Sequence, residues 1–168
     1  MSTHRPVPGL RIERLDPLDA RHAAALLALL DEYATDPTGG GTPLAEDAKA
    51  RLPGVLAARA HYAGWLAWDG EHPVGLVNAF EGVSTFKARP LLNIHDLIVS
   101  APFRRRGIAR ALLAAAERGA RERGCCKLTL EVLEGNHAAI SAYQASGFQA
   151  YELDPAMGRA QFFEKKFY

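Results

Sequence analysis

Apolar positions recur along this chain with two periods, one of about 2 and one of about 3.6, and the changes between them mark out its elements. Leu10 and Ile12 alternate against Arg11 and Glu13 as a short strand that ends before Asp16 and Pro17. Asp16 as cap and Pro17 as first helical residue predict a helix through the apolar 23–30 run to about Tyr33. Residues 36–41 are turn formers; Thr42 and Pro43 repeat the cap signal and predict a second helix to about Ala60, interrupted at Pro53 and Gly54. Residues 62–68, the Asp69–Gly70 turn and residues 73–80 read as a hairpin, followed by a polar loop over 81–90. Residues 91–99 form a strand, 108–123 an amphipathic helix stopped by Gly124, and 127–133 a further strand. Asn136 caps a short helix to Ser146 with Gly147 as its stop, and 148–153 with 160–167 form a closing hairpin.

The junction between the strand at 91–99 and the helix at 108–123 adds chemistry to this outline. Arg104, Arg105, Arg106 and Gly107 lead into Ile108, Ala109 and Arg110. The first N–H groups of a helix lack internal partners and lie at the positive end of its dipole, so they attract anions. Gly107 removes the Cβ that would obstruct close approach, and small Ala109 keeps the path open. The turn suits a phosphate or pyrophosphate. It lacks the Gly-Lys-Ser/Thr ending of a mononucleotide P-loop, and only Gly107 occupies a glycine position of the dinucleotide fingerprint.

Composition narrows the partners. A chain of 168 residues, 48% hydrophobic and 23% charged, reads as a single domain, 1–168, with a full core. A net charge of +1 speaks against a general nucleic-acid binder. Residues 1–9 lack the apolar stretch of a signal peptide, and no apolar run approaches the roughly 20 residues of a membrane span. Cytoplasmic residence without a membrane partner is the expectation. Cys125 and Cys126 are adjacent, poorly placed to bridge each other and too few for a metal cluster, so they read as thiols in a strand and no metal is expected.

Arg104-x-x-Gly107-x-Ala109 resembles the Arg/Gln-x-x-Gly-x-Gly/Ala pyrophosphate loop of the GNAT superfamily of acetyl-CoA-dependent N-acyltransferases. The flanks Val99-x-x-Pro102-Phe103 and Ala111-Leu112-Leu113 are similar to that family's too. Downstream, Asn136, Ala139, Ile140, Tyr143, Gly147 and Phe148 resemble the Asn…Tyr…Gly-Phe pattern that follows its fifth strand. The resemblance covers roughly residues 60–168 well and the first third in outline. It implies an α+β GNAT fold, with a mixed, mostly antiparallel sheet of six to seven strands, helices on both faces, and acetyl-CoA as cosubstrate.

Roles follow from the same resemblance. Arg104 and the backbone of Arg105, Arg106, Gly107, Ile108, Ala109 and Arg110 hold the pyrophosphate. The edge at Leu97, Ile98 and Val99 pairs with the pantetheine amides like an added strand, and a backbone N–H near Ile98 polarises the thioester carbonyl. Asn136, Ala139 and Tyr143 lie on the cofactor side, with Tyr143 protonating the departing sulfur; on the residues alone, Tyr143 reads equally as a core tyrosine sharing a helix face with Ile140.

Two carboxylates compete as base. Glu131 points with Thr129 away from Leu128, Leu130 and Val132, and stands at the position of the glutamate base in ribosomal-protein N-terminal acetyltransferases. Asp96, with His95 and Asn93, forms a polar cluster in an otherwise apolar strand, where burial is costly without partners. A third reading needs no side-chain base. If the sheet is ordered as the resemblance implies, Glu81, Phe86, Asn93, His95, Asp96 and Glu134 fall on the acceptor side with Trp65 and Trp68 as apolar walls; on the residues alone, Glu81 and Glu134 read equally as surface carboxylates and the tryptophans as core. The expected activity is acetyl transfer to a primary amine (a small amine, a polyamine, or a protein or peptide amine) within a ternary complex. The rivals are a non-catalytic acyl-CoA-binding module and an acyltransferase using another acyl donor or an O-linked acceptor. The C-terminal aromatics Phe162, Phe163, Phe167 and Tyr168 suggest a homodimer.

Overall fold

Four strands follow one another across the sheet in chain order, each antiparallel to the last: β1 (Leu10–Arg14), β2 (Tyr62–Asp69), β3 (His72–Ser84) and β4 (Arg89–Val99). A fifth, β5 (Leu128–Leu130), lies parallel to β4 at the edge. The computed structural model describes residues 8–152, 154–158 and 160–167. Helices α1 (Ala20–Thr35) and α2 (Glu46–Ala57) cover one face, burying Leu26, Leu29 and Leu56 against Leu66, Trp68, Leu76 and Ile98. Helix α3 (Ile108–Glu122) covers the other, setting Ile108, Leu112 and Ala116 on Ala63, Trp65, Val77, Leu92 and Ile94. Helix α4 (His137–Ala145) follows β5 and packs Tyr143 onto this second core. The class is α+β with helices on both faces, as the sequence implies.

Several details differ from the sequence expectation. The sheet has five strands among the described residues, not six to seven, and 148–167 carries no strand there; Leu153, at the end of the expected hairpin's first arm, lies outside the described residues. Helix α1 is capped by Asp19, whose carboxylate accepts the His22 N–H at 2.9 Å, and not by Asp16. Asp16 instead closes a turn by accepting the Leu18 N–H at 2.9 Å. Helix α2 starts at Glu46 and runs unbroken through Pro53, which leaves one intrahelical bond unmade. The expected loop at 81–90 is mostly hairpin, because β3 runs on to Ser84 and β4 begins at Arg89.

One departure places the site. Strand β4 pairs with β5 only at Leu92, Asn93 and Ile94, and beyond that point the two strands part. At the same level β4 carries a bulge: Ala79 faces Ile94 and Asn78 faces Asp96, leaving His95 as the extra residue. Side-chain alternation therefore breaks there. Leu92 and Ile94 face α3, whereas Ile98 faces α1.

Candidate active site

The loop between β4 and α3 is built to expose backbone donors. Arg105 has φ +62° and Gly107 φ +81°, both in the left-handed region that Gly107 adopts without strain. A Cβ at Gly107 would meet nothing within 4 Å, so space remains around this helix start. Gly107 contributes no side-chain cap, and the leading N–H groups of α3 stay available to an anion. Arg105, Arg106 and Arg110 are exposed beside them. Arg104 is used differently. Its Nη2 contacts the Asp36 carboxylate at 2.9 Å and its Nε donates to the Val99 carbonyl at 3.2 Å. The Ala101 N–H adds a 2.8 Å bond to the Glu32 carboxylate, so the C-terminal turn of α1 clasps the loop on both sides.

Behind the loop lies the open stretch of β4. The Ser100 N–H donates to Val74 of β3 at 3.0 Å. Alternation then turns the backbone of Ile98 to β3 and that of Leu97 and Val99 to the unpaired edge. The bond from Arg104 to the Val99 carbonyl fits this orientation. The edge thus offers the amide groups of Leu97 and the N–H of Val99.

Asp96 sits at the head of this edge, half-buried, next to the bulge. Its Oδ2 accepts from Asn78 Nδ2 at 2.9 Å, and Asn78 Oδ1 accepts from the Tyr62 hydroxyl at 2.8 Å. His95 is exposed and meets Phe80 edge-on, ring centres 5.8 Å apart. Asn93 Nδ2 donates to Thr129 Oγ1 at 3.0 Å, a side-chain tie at the last paired level before β4 and β5 diverge. Glu131 follows the end of β5 directly and is exposed.

Tyr143 lies half-buried against Phe148, centroids 5.9 Å apart. Burial pushes its phenol above the ordinary tyrosine range, with a smaller push from Tyr33 of α1. Tyr33 packs on the α1 face of the sheet and Tyr143 on the α3 face. Beyond Ile94 the parting of β4 and β5 leaves an opening between the two strands. Asn136 caps α4 by accepting the Ala139 N–H at 3.1 Å.

Two expected acceptor contacts stand apart from this group. Glu81 pairs with Arg123 at 3.0 Å. Phe86 is 98% exposed at the tip of the β3–β4 hairpin, six residues beyond Phe80 or on the order of 20 Å along the strand. Trp65 and Trp68 are buried in the two cores. Cys125 and Cys126 precede β5, and burial raises the Cys125 thiol above its ordinary range. The residues that sequence reasoning missed are Asn78, Tyr62, Glu32 and Asp36. Asn78 left one trace, as a lone amide between Val77 and Ala79.

Residues 25–148 match the family model described as Acetyltransferase (GNAT) family. Over 90 residues the chain is 36% identical to N-acetyltransferase family 8 member 2 of Rattus norvegicus, covering 54% of this chain and 40% of that protein. It is 40% identical over 83 residues to streptothricin acetyltransferase of Streptomyces lavendulae, covering 49% of this chain and 44% of that one. The chain thus spans less than half the length of these curated relatives. In fold it is similar to an aminoglycoside N-acetyltransferase solved in complex with CoA, with a TM-score of 0.73 at 20% identity, over 94% of this chain and 95% of that one.

Proposed function

Because this chain belongs to the acetyltransferase (GNAT) family, we propose that it transfers an acetyl group from acetyl-CoA to a primary amine by direct attack. The observation that carries the reading is continuity: the open β4 edge at Leu97 and Val99 leads through the single loop 100–107 to the uncapped N-terminus of α3. A pyrophosphate fits the second, and an amide-bearing arm fits the first as a partial strand. The complex of the structural relative with CoA supports the same donor.

In the proposed reaction Asp96 accepts a proton from the acceptor's ammonium group. The freed nitrogen bonds to the thioester carbonyl carbon, while the Leu97 N–H stabilises the negative charge growing on the carbonyl oxygen. The carbon–sulfur bond then breaks and Tyr143 gives its proton to the departing sulfur. The nitrogen's surplus proton returns to Tyr143 through solvent, and Asp96 sheds its own there. The raised phenol of Tyr143 favours the protonated form this role needs. Exposed Glu131, at the mouth of the opening, favours an acceptor carrying positive charge. The names of the streptothricin and aminoglycoside relatives support a small-molecule amine.

A thiol-release assay with acetyl-CoA and a panel of amines tests this. Release that depends on the amine is expected. Tight acetyl-CoA binding without any such release would make the chain an acyl-CoA-binding module, and release with alcohols alone would make it an O-acyltransferase.

A further inference from the structure

We infer that Asn78 and Tyr62 are positioning residues that hold Asp96 for the acceptor amine, an inference that rests on the acetyltransferase reading above. Asn78 is 3% exposed, in a strand whose neighbours Val77 and Ala79 are fully buried. An amide there is costly unless its polar atoms are satisfied, and an apolar residue would pack with no such requirement. Both ends of this amide are satisfied, and both bonds run towards Asp96.

The chain of bonds has a fixed direction. An ionised carboxylate only accepts, so the Asn78 NH₂ must face Asp96 and its carbonyl must face Tyr62. The Tyr62 hydroxyl is then obliged to donate. Its burial, reinforced by the negative charge of Asp96, keeps the proton on that oxygen. Gly64 makes room for the phenol, since a Cβ there would collide with the Tyr62 hydroxyl.

Asn78 is also the register partner of Asp96, directly across from it beside the bulge. The amide therefore holds the Asp96 carboxylate in place through its Oδ2. Oδ2 is occupied and, among the described residues, Oδ1 has no such partner. That oxygen is left for the incoming amine. Tyr62 prevents the amide from flipping its carbonyl towards Asp96, which would set two acceptors against each other.

Two acceptors of similar size separate positioning from mere packing. One is an alkylamine that is an ammonium ion at the assay pH, and the other a weakly basic amine already neutral there. Kcat and acetyl-CoA affinity are measured for Tyr62→Phe and Asn78→Leu. With the ammonium acceptor, kcat should fall about tenfold in Tyr62→Phe and further in Asn78→Leu, at unchanged acetyl-CoA affinity. The loss with the neutral acceptor should be at least about fivefold smaller, because it needs no base. Equal losses with both acceptors, or no loss with either, would overturn the inference while leaving the acetyltransferase reading in place. A wild-type enzyme inactive on every amine would overturn that reading and this inference with it. If Asn78→Leu does not fold, Tyr62→Phe, which keeps the ring, decides alone.

Discussion

A single hydroxyl separates the two readings of Tyr143. Tyr143→Phe keeps the ring against Phe148 and removes only the proton, so turnover should fall about 10²–10⁴-fold with acetyl-CoA affinity and melting temperature close to wild type. Undiminished turnover would reduce the residue to packing. At the helix start, Gly107→Glu sets a carboxylate where an anion should bind and forces a side chain into a left-handed backbone. Calorimetry should then detect no acetyl-CoA binding; unchanged affinity would remove this turn from the site. The two carboxylates divide in the same way. Asp96→Asn should suppress turnover of ammonium acceptors, whereas Glu131→Gln should chiefly raise the acceptor KM. The opposite pattern would move the base to Glu131.

Among the elements, the junction of β1 with α1 is held by charge and should respond to acid. Burial opposes ionisation of Glu13, but hydrogen bonds from Arg11 and His22 and the field of Arg21 outweigh it and hold its carboxyl below the ordinary value of 4.5. A depressed folded-state pKa gives stability that is present above the unfolded value and lost as pH falls through the folded one. The melting temperature should therefore drop below about pH 4.5, and less so in Glu13→Gln; identical acid profiles would show that the cluster contributes nothing. The strands at 62–69 and 91–99 were legible as largely apolar runs, the first buried on both faces, and the helix at 108–122 from its period, which sets one face on the sheet. The bulge was not. Leu92, Ile94, Asp96 and Ile98 read as a single face, and only pairing with β3 reveals the extra residue, His95. The early end of β5 was equally hidden, since 128–132 keeps its alternation after its partner strand has turned away. Asp36 and Glu32 showed no signal at all, because the clasp on the loop joins residues almost seventy positions apart.

For the molecule as a whole, two short motifs announced the family, and the architecture around them followed from it. The first third took its place from packing, with α1 over Trp68, Leu76 and Ile98. Assembly is a separate matter. Phe162, Phe163 and Phe167 are 78%, 82% and 86% exposed, a cluster of aromatic surface that favours association of two copies. We expect light scattering to report a dimer; a monomer mass independent of concentration would refute this. No helix among the described residues is long and apolar enough to cross a membrane.

The open length of β4 has one more consequence. An unpaired strand edge accepts any backbone of suitable spacing, and nothing in hydrogen-bond geometry distinguishes a ligand's arm from the edge of a misfolded neighbour. Arg105 and Arg106, exposed in the loop that follows the strand, place like charges beyond its end, where two copies meeting edge to edge in parallel would bring them together. We expect these charges to oppose such stacking of the ligand-free protein, so that screening them with salt should shorten its lifetime in solution unless acetyl-CoA already fills the edge.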